Sequence, residues 1–413
     1  MKRDLDQLMH THHVDALWIM GPTTHNPAMR YFTGDASLTG ADLFKRRDQP
    51  PLLFYRSMER DEAAKSGLPT RCYDDYPFKI FYEQASGDIA QASALRFQKI
   101  LTDLGLDQGR IALYGKIEFG PQFDLTQRLK QLLPAVEFLG FSEDPILLSA
   151  MMTKDEDEIE RIRHMGQITA QVVAQTADFL SGHRVNNGIL VKPDGNPLTI
   201  GEVKRKINLW LAEKGVDNPE GTIFAIGRDA AVPHSTGNPD DVLRLGETIV
   251  FDIFPCEAGG GYYYDFTRTW CLGYATDEAL TLYEQVLSVY RQITQELKPN
   301  TFFKTYHDRT CELFEAMGHP TVRTNPTTQE GYVHSLGHGL GLHVHEYPVS
   351  GAYAKESRDI LVPGTVFTIE PGLYYPEKGM GVRLEDTYAV LPNGEITRLA
   401  EYPLDLVIPI REV

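Results

Sequence analysis

The first 150 positions alternate between short apolar runs and stretches of helical periodicity. Runs at 14–20 (VDALWIM), 51–55 (PLLFY), 110–114 (RIALY) and 136–139 read as strands. Between them, residues 2–10 have a polar helical pattern, and 87–105 and 120–133 read as helices, the former plainly amphipathic. Strands alternating with helices predict an α/β layer domain. The texture changes near 150–165, where MMTKDEDEIERIRHMGQITAQVVAQTADFL opens with charge and continues with helical periodicity. Thr153 is a candidate N-cap with Glu156 three residues on, as in a capping box. A boundary near 150 follows, giving domains over 1–150 and 151–413. Beyond it, helices at 155–181, 199–214, 276–297 and 303–317 are interleaved with strands at 222–226, 248–254, 262–271, 366–369 and 382–390. That is an α+β pattern. The Gly-, Asn-, Pro- and Thr-rich segments 183–198 and 318–330 read as surface connections.

Carboxylates interrupt this pattern where it should be apolar. Asp252 lies in TIVFDIFP, Glu370 in VFTIEP, Glu385 in GVRLEDTYAVL, and Asp265 follows three tyrosines in GGGYYYDFTRTW. An ionised carboxylate in a buried strand is costly unless it is paired or holds a metal. One such residue is commonly a core ion pair or a strand end; four in one domain call for another reason. Four of the 13 histidines (His334, His338, His343 and His345) fall within twelve residues of HSLGHGLGLHVHEYP. A lone histidine is usually structural, whereas a glycine-embedded cluster points to a site. Carboxylates with one or two imidazoles suit manganese, cobalt, iron or zinc better than thiolate-seeking metals. Four acids exceed what one divalent ion neutralises. Two ions ~3.5–4 Å apart would balance them, and a water shared between the ions would become the nucleophile.

Composition narrows the alternatives. A chain of 413 residues with net charge −17 repels nucleic acid and anionic lipid, and its acidic surface fits a soluble protein. Cys72, Cys256, Cys271 and Cys311 are scattered without a C-x-x-C pair, which fits a reducing compartment and argues against a zinc ribbon. The N-terminus does not read as a signal peptide and no apolar run approaches a membrane span, so a cytoplasmic protein is expected. His10, His12 and His13 read as solvated surface. GHGLGL lacks the strand–turn–helix context of a nucleotide loop.

At these residues the chain resembles the prolidase, aminopeptidase P and methionine aminopeptidase superfamily. The motifs are DFTRT around Asp265, GHGLGL around His338, TIEPG around Glu370 and GVRLED around Glu385. The resemblance spans nearly the whole chain and is strongest over about 155–390. It implies a C-terminal pita-bread fold behind an N-terminal creatinase-like α/β domain. It implies two divalent ions, manganese foremost with cobalt, zinc or iron as alternatives, held by Asp252, Asp265, His338, Glu370 and Glu385. Glu370 would also move the proton, His345 and His234 would stabilise the oxyanion or hold the substrate, and His334 would be another active-site histidine. Arg383 would orient a ligand carboxylate, with Asp265 the expected partner. His343 is expected to be structural. Asp252 and Asp265 stand thirteen positions apart, wider than the usual spacing, and Phe254 replaces a common glycine.

The long N-terminal domain, RYFTGD and HVHEYP resemble the proline-specific members. The implied activity is hydrolysis of Xaa-Pro bonds, by a dipeptidase or an aminopeptidase, in a homodimer. The substrate is a short peptide with proline second; nucleic acid and membrane are not expected partners. A dipeptidase needs a cation for the substrate carboxylate, and Lys355 and Arg358 lie in a suitable stretch. Two alternatives stay open. One is a non-peptidase enzyme on the same fold, either a metal-dependent dimethylsulfoniopropionate lyase or an amidinohydrolase-like creatinase. The other is a protein-binding module, although such relatives often lose ligands.

Overall fold

The computed structural model describes residues 4–410. The chain divides into two compact units, one reaching Met151 and taking in Gly259–Gly261, the other starting at Met152.

The first unit is built on a six-stranded mixed sheet. Its order is Thr70–Cys72, Leu52–Tyr55, Ala41–Arg46, Ala16–Gly21, Gly109–Gly115 and Val136–Leu139. Ala16–Gly21 runs parallel to Gly109–Gly115 and antiparallel to Ala41–Arg46. The apolar runs become its interior: Trp18 is fully buried and stacks on Phe44 with ring centroids 5.4 Å apart. Helices Ile89–Asp103 and Phe119–Leu132 fall where the periodicity places them. The strand Ala41–Arg46 does not follow from the apolar pattern, because ADLFKR carries three charges. Two of these are buried and paired. Asp42 accepts from Trp18 Nε1 at 2.6 Å and from the Tyr73 hydroxyl, and Lys45 Nζ lies 2.5 Å from Asp6. His10 sits on the surface, 2.9 Å from Asp48.

The second unit holds two five-stranded sheets. In one, Thr222–Ile226, Thr248–Ile253, Phe266–Ala275 and Leu245–Gly246 lie in that order, with Val407–Ile408 also beside Phe266–Ala275. In the other, the order is Glu346–Val349, His338–Gly339, Val366–Ile369, Asp386–Val390 and Ile396–Arg398. A hairpin of Gly372–Tyr375 and Met380–Arg383 forms a separate two-stranded sheet. Helix Glu156–Ser181 buries Ile159, Ile162, Met165, Thr169, Val172, Val173, Thr176 and Leu180, a three-and-four spacing that defines one face.

Several boundaries differ from the expectation, each for a local reason. The capping box uses Asp155 and Glu158, whose carboxylate accepts the Asp155 N–H at 2.6 Å. Thr153 instead makes an extended bridge to Thr365. The strand expected at 262–271 begins only at Phe266. Tyr262 instead bonds Glu158 through its hydroxyl, and Tyr264 packs so closely on Gly166 that a Cβ there would lie 2.5 Å from its ring. The strand expected at 382–390 breaks in two at Leu384 and Glu385, where the chain passes from the hairpin to the second sheet. Segment 183–198 contains a hairpin, Arg184–Asn186 with Ile189–Val191. Its turn residues Asn187 and Gly188 both have positive φ, as a two-residue Asn-Gly turn requires.

Candidate metal centre

The acids that interrupt the apolar strands come together. Asp252 occupies the central strand Thr248–Ile253, opposite Thr267 in the register with Phe266–Ala275. Asp265 immediately precedes that second strand, and its Oδ1 accepts the N–H of Phe266 at 2.9 Å. Because side chains alternate along a strand, Asp265, Thr267 and Thr269 share one face. Thr267 Oγ1 donates to Glu385 Oε2 at 2.7 Å, and Thr269 Oγ1 accepts the Arg383 N–H at 2.9 Å. The chain's crossing at Leu384–Glu385 therefore lies against this face, held by backbone pairing of Thr267 with Glu385. Glu370 follows strand Val366–Ile369, its N–H bonded to Leu336 O at 2.8 Å. His338 enters from the adjoining strand.

The hydrogen bonds fix the histidine tautomers. A carbonyl can only accept, so the 3.0 Å contact of His338 Nδ1 with Gly339 O places the proton on Nδ1. The bare Nε2 then faces the acids, 3.6 Å from Asp265 Oδ2 and 3.4 Å from Glu370 Oε1. Likewise His334 Nδ1 donates to Ser335 O at 2.7 Å, so its Nε2 accepts from the Tyr374 hydroxyl at 2.9 Å. Burial holds His338 and His334 at pKa values of about 3, so both imidazoles are neutral. The His345 ring packs 4.3 Å from that of His338, centroid to centroid. Burial and then neighbouring His234 lower the His345 pKa. His234 and His345 remain on the solvent-open side.

Arg383 is fully enclosed and pairs with Asp252, with Nη2 2.6 Å from Oδ2. This corrects the partner: Asp265 was the carboxylate expected for Arg383. The hairpin strand carrying Arg383 packs on the strand carrying Asp252, with Gly381 N–H bonded to Thr248 Oγ1 at 3.3 Å. Arg383 Nη1 also donates to the Tyr374 hydroxyl at 2.8 Å. Tyr374 and Thr267 were missed in the sequence, although EPGLYY and the alternation in DFTRT place both beside expected residues. His343 donates its N–H to Glu346 Oε1 at 3.0 Å. Arg358 is engaged with Asp359 at 2.8 Å and lies 3.5 Å over the Tyr347 ring.

This group of side chains suits cations. Burial and then repulsion from Glu385, Asp252 and Glu370 push the Asp265 carboxyl well above its ordinary range. Burial and then Glu385 do the same to Glu370, and burial and then Asp252 raise Glu385 to about 8. Asp252 Oδ1 and Glu385 Oε1 are buried, and among the described residues neither accepts a hydrogen bond. Buried oxygens without a donor are rare and call for a partner. Asp265, His338 and Glu385 each offer one ligand atom within 4.8 Å of the others. An oxygen-rich set with one imidazole fits a hard or borderline divalent metal.

Comparison with known proteins decides the lineage. The sequence model of metallopeptidase family M24 matches residues 160–392. The chain belongs to metallopeptidase family M24. The creatinase/prolidase N-terminal domain model matches residues 2–149 of this M24 chain. An Xaa-Pro dipeptidase of Pyrococcus furiosus is 25% identical over 401 residues, covering 95% of this chain and 97% of that protein. The prolidase structure from Pyrococcus horikoshii OT3 superposes with a TM-score of 0.74 at 23% identity, covering 98% of this chain and 99% of that one. An X-Pro aminopeptidase structure from Thermotoga maritima gives 0.72 at 23% identity, covering 95% and 97%. The architecture is thus a creatinase-type N-terminal domain followed by the pita-bread catalytic domain.

Protons and a divalent metal would compete for the acids of this candidate site. A carboxyl whose folded pKa lies above its unfolded value stabilises the fold while protonated, and that stability is lost as pH rises. For Glu385 the window runs from the ordinary 4.5 to about 8. Divalent ions held by these acids would replace the lost protons. Adding Mn²⁺ to metal-stripped protein is therefore expected to raise the melting temperature more at pH 8 than at pH 6. A rise no larger at pH 8, measured by differential scanning calorimetry, contradicts this.

Proposed function

We propose that this metallopeptidase hydrolyses Xaa-Pro bonds using two divalent ions, manganese foremost, held by Asp252, Asp265, His338, Glu370 and Glu385. One observation carries the reading. Four acids and one neutral imidazole converge in a buried place where Asp252 Oδ1 and Glu385 Oε1 lack any donor among the described residues. The name of the Pyrococcus furiosus relative, matched over nearly its whole length, supports Xaa-Pro dipeptides as substrates.

Bound ions would supply Lewis acidity at the scissile carbonyl and make an attacking water more acidic. The remaining work falls to side chains. Glu370 accepts the proton of the attacking water at a carboxylate oxygen and returns it to the leaving nitrogen. His345, packed beside the His338 ring, and the exposed His234 donate to the oxygen that gains charge in the tetrahedral transition state. Arg383 fixes Asp252 and, through Tyr374, the neutral His334. Proline offers no amide N–H, so its ring is held by shape and apolar contact rather than by a hydrogen-bonded strand slot. A homodimer in a reducing compartment completes the reading; among the described residues none of the four cysteines forms a disulfide.

The test is turnover of Ala-Pro, Ala-Pro-Ala and Ala-Ala by protein stripped and reloaded with Mn²⁺. Metal-dependent cleavage of Ala-Pro, with Ala-Ala spared, is expected. Cleavage confined to Ala-Pro-Ala would make it an aminopeptidase. No peptide turnover with two ions bound would reject the reading in favour of a non-peptide substrate.

A further inference from the structure

One buried charge pair stands outside the chemistry just described. Lys154 Nζ lies 2.6 Å from Glu346 Oε2, and the two side chains are 2% and 0% exposed. They are 192 positions apart in sequence. The backbone of Lys154 is itself anchored, its N–H bonded to Gly364 O at 2.7 Å. The other carboxylate oxygen, Glu346 Oε1, accepts the N–H of His343 at 3.0 Å. Gly341 N–H in turn reaches His343 O at 3.0 Å, closing a turn. A Cβ on Gly341 would sit 2.5 and 2.7 Å from the two Glu346 oxygens and 2.7 Å from Lys154 Cε. The turn over 341–346 is thus wrapped directly on the ion pair, and only glycine fits at its start.

The turn joins two paired strands. His338–Gly339 leads in, Glu346–Val349 leads out, and Gly339 lies opposite Glu346 in the register. His345 is the last residue before the outgoing strand, and its ring meets the His338 ring at 4.3 Å. Glu346 therefore fixes the chain on both sides of His345, through its own strand pairing and through the N–H of His343.

A buried ion pair is a poor way to gain stability, because desolvation offsets most of the attraction and apolar side chains of similar volume do as well. Its worth lies in geometry, since the carboxylate has one arrangement that satisfies both Lys154 and His343. We propose that Lys154 and Glu346 are positioning residues, which set the 341–346 turn so that His345 stands over the metal centre at the substrate carbonyl. This rests on the role given to His345 under the proposed function.

The test is a double-mutant cycle on Mn²⁺-loaded protein, with whichever of Ala-Pro and Ala-Pro-Ala the parent cleaves as substrate. Lys154→Met with Glu346→Leu removes both charges and keeps the volume. This variant is expected to fold and to bind metal as the parent does. Its kcat should fall by roughly 10²-fold with KM nearly unchanged, as misplacing a catalytic group by about 1 Å does. In a His345→Ala background the same replacement should cost less than about threefold, because its target is already gone. Where the double replacement does not fold, Glu346→Gln, which keeps the His343 bond and loses the charge, is run through the same cycle with a smaller expected loss. A folded variant with kcat within about threefold of the parent overturns the proposal. So does an equal loss in both backgrounds, which places the pair's effect elsewhere while leaving the role of His345 intact. If His345→Ala alone leaves kcat unchanged, the assigned role of His345 fails, and the proposal with it.

Discussion

Glu370→Gln is expected to fold as the parent does and to lose Xaa-Pro turnover by on the order of 10²–10⁴-fold, the usual worth of a positioned proton acceptor. Glutamine keeps the length and shape of the side chain. Its amide oxygen can still accept from Thr368 Oγ1, a long contact of 3.5 Å in the parent. It has no basic oxygen to take a proton from water. Glu370 is also a proposed ligand, so metal content must be measured beside kcat. Loss of kcat with metal retained isolates the proton step, whereas loss of both shows ligation dominating. Turnover within about tenfold of the parent, with metal bound, would move the proton to another group.

The second large effect is on stability. Arg268→Ala is expected to cost about 3–5 kcal/mol, the range for breaking a buried ion pair from one side. Arg268 and Asp386 are 0% exposed, with Nη2 2.9 Å from Oδ1. The guanidinium also donates to the carbonyls of Thr267, Glu385, Tyr402 and Pro403, which ties strand Phe266–Ala275 to the crossing at Glu385. Alanine would leave these acceptors and the Asp386 carboxylate without their donor. Tyr290 and Arg398 also reach Asp386, and they give an internal comparison. Arg398 is 24% exposed and 3.4 Å from the carboxylate, so Arg398→Ala should cost no more than about 1 kcal/mol. Urea unfolding of the two variants measures both. Equal costs would mean that burial of the Arg268 pair is not what makes it matter.

The legible parts of the molecule were those where one rule acts alone. The strands Thr222–Ile226 and Val366–Ile369 were read to the residue, since apolar, β-branched runs bounded by turn signals have no helical competitor. The candidate site stood out because acids in such runs conflict with their surroundings. What escaped depended on pairing across the chain. Ala41–Arg46 hides as a strand because Asp42 and Lys45 look solvated until Trp18, Tyr73 and Asp6 are found beside them. The partner of Arg383 was misplaced for a related reason. The family resemblance suggested Asp265, while the packing of two strands chose Asp252. The break at Leu384–Glu385 is invisible in the strand pattern of 382–390, because only tertiary structure says where a chain changes sheets. The Asn187–Gly188 turn was the exception, a local signal present in the sequence and passed over.

The measurement that bears most directly on a two-ion Xaa-Pro peptidase is a titration of metal-stripped protein with Mn²⁺, following Ala-Pro hydrolysis and bound metal together. Turnover absent without metal, rising with it and reaching its plateau at two ions per chain is the expected result. Full turnover in stripped protein, or hydrolysis of neither Ala-Pro nor Ala-Pro-Ala with two ions bound, would contradict the account.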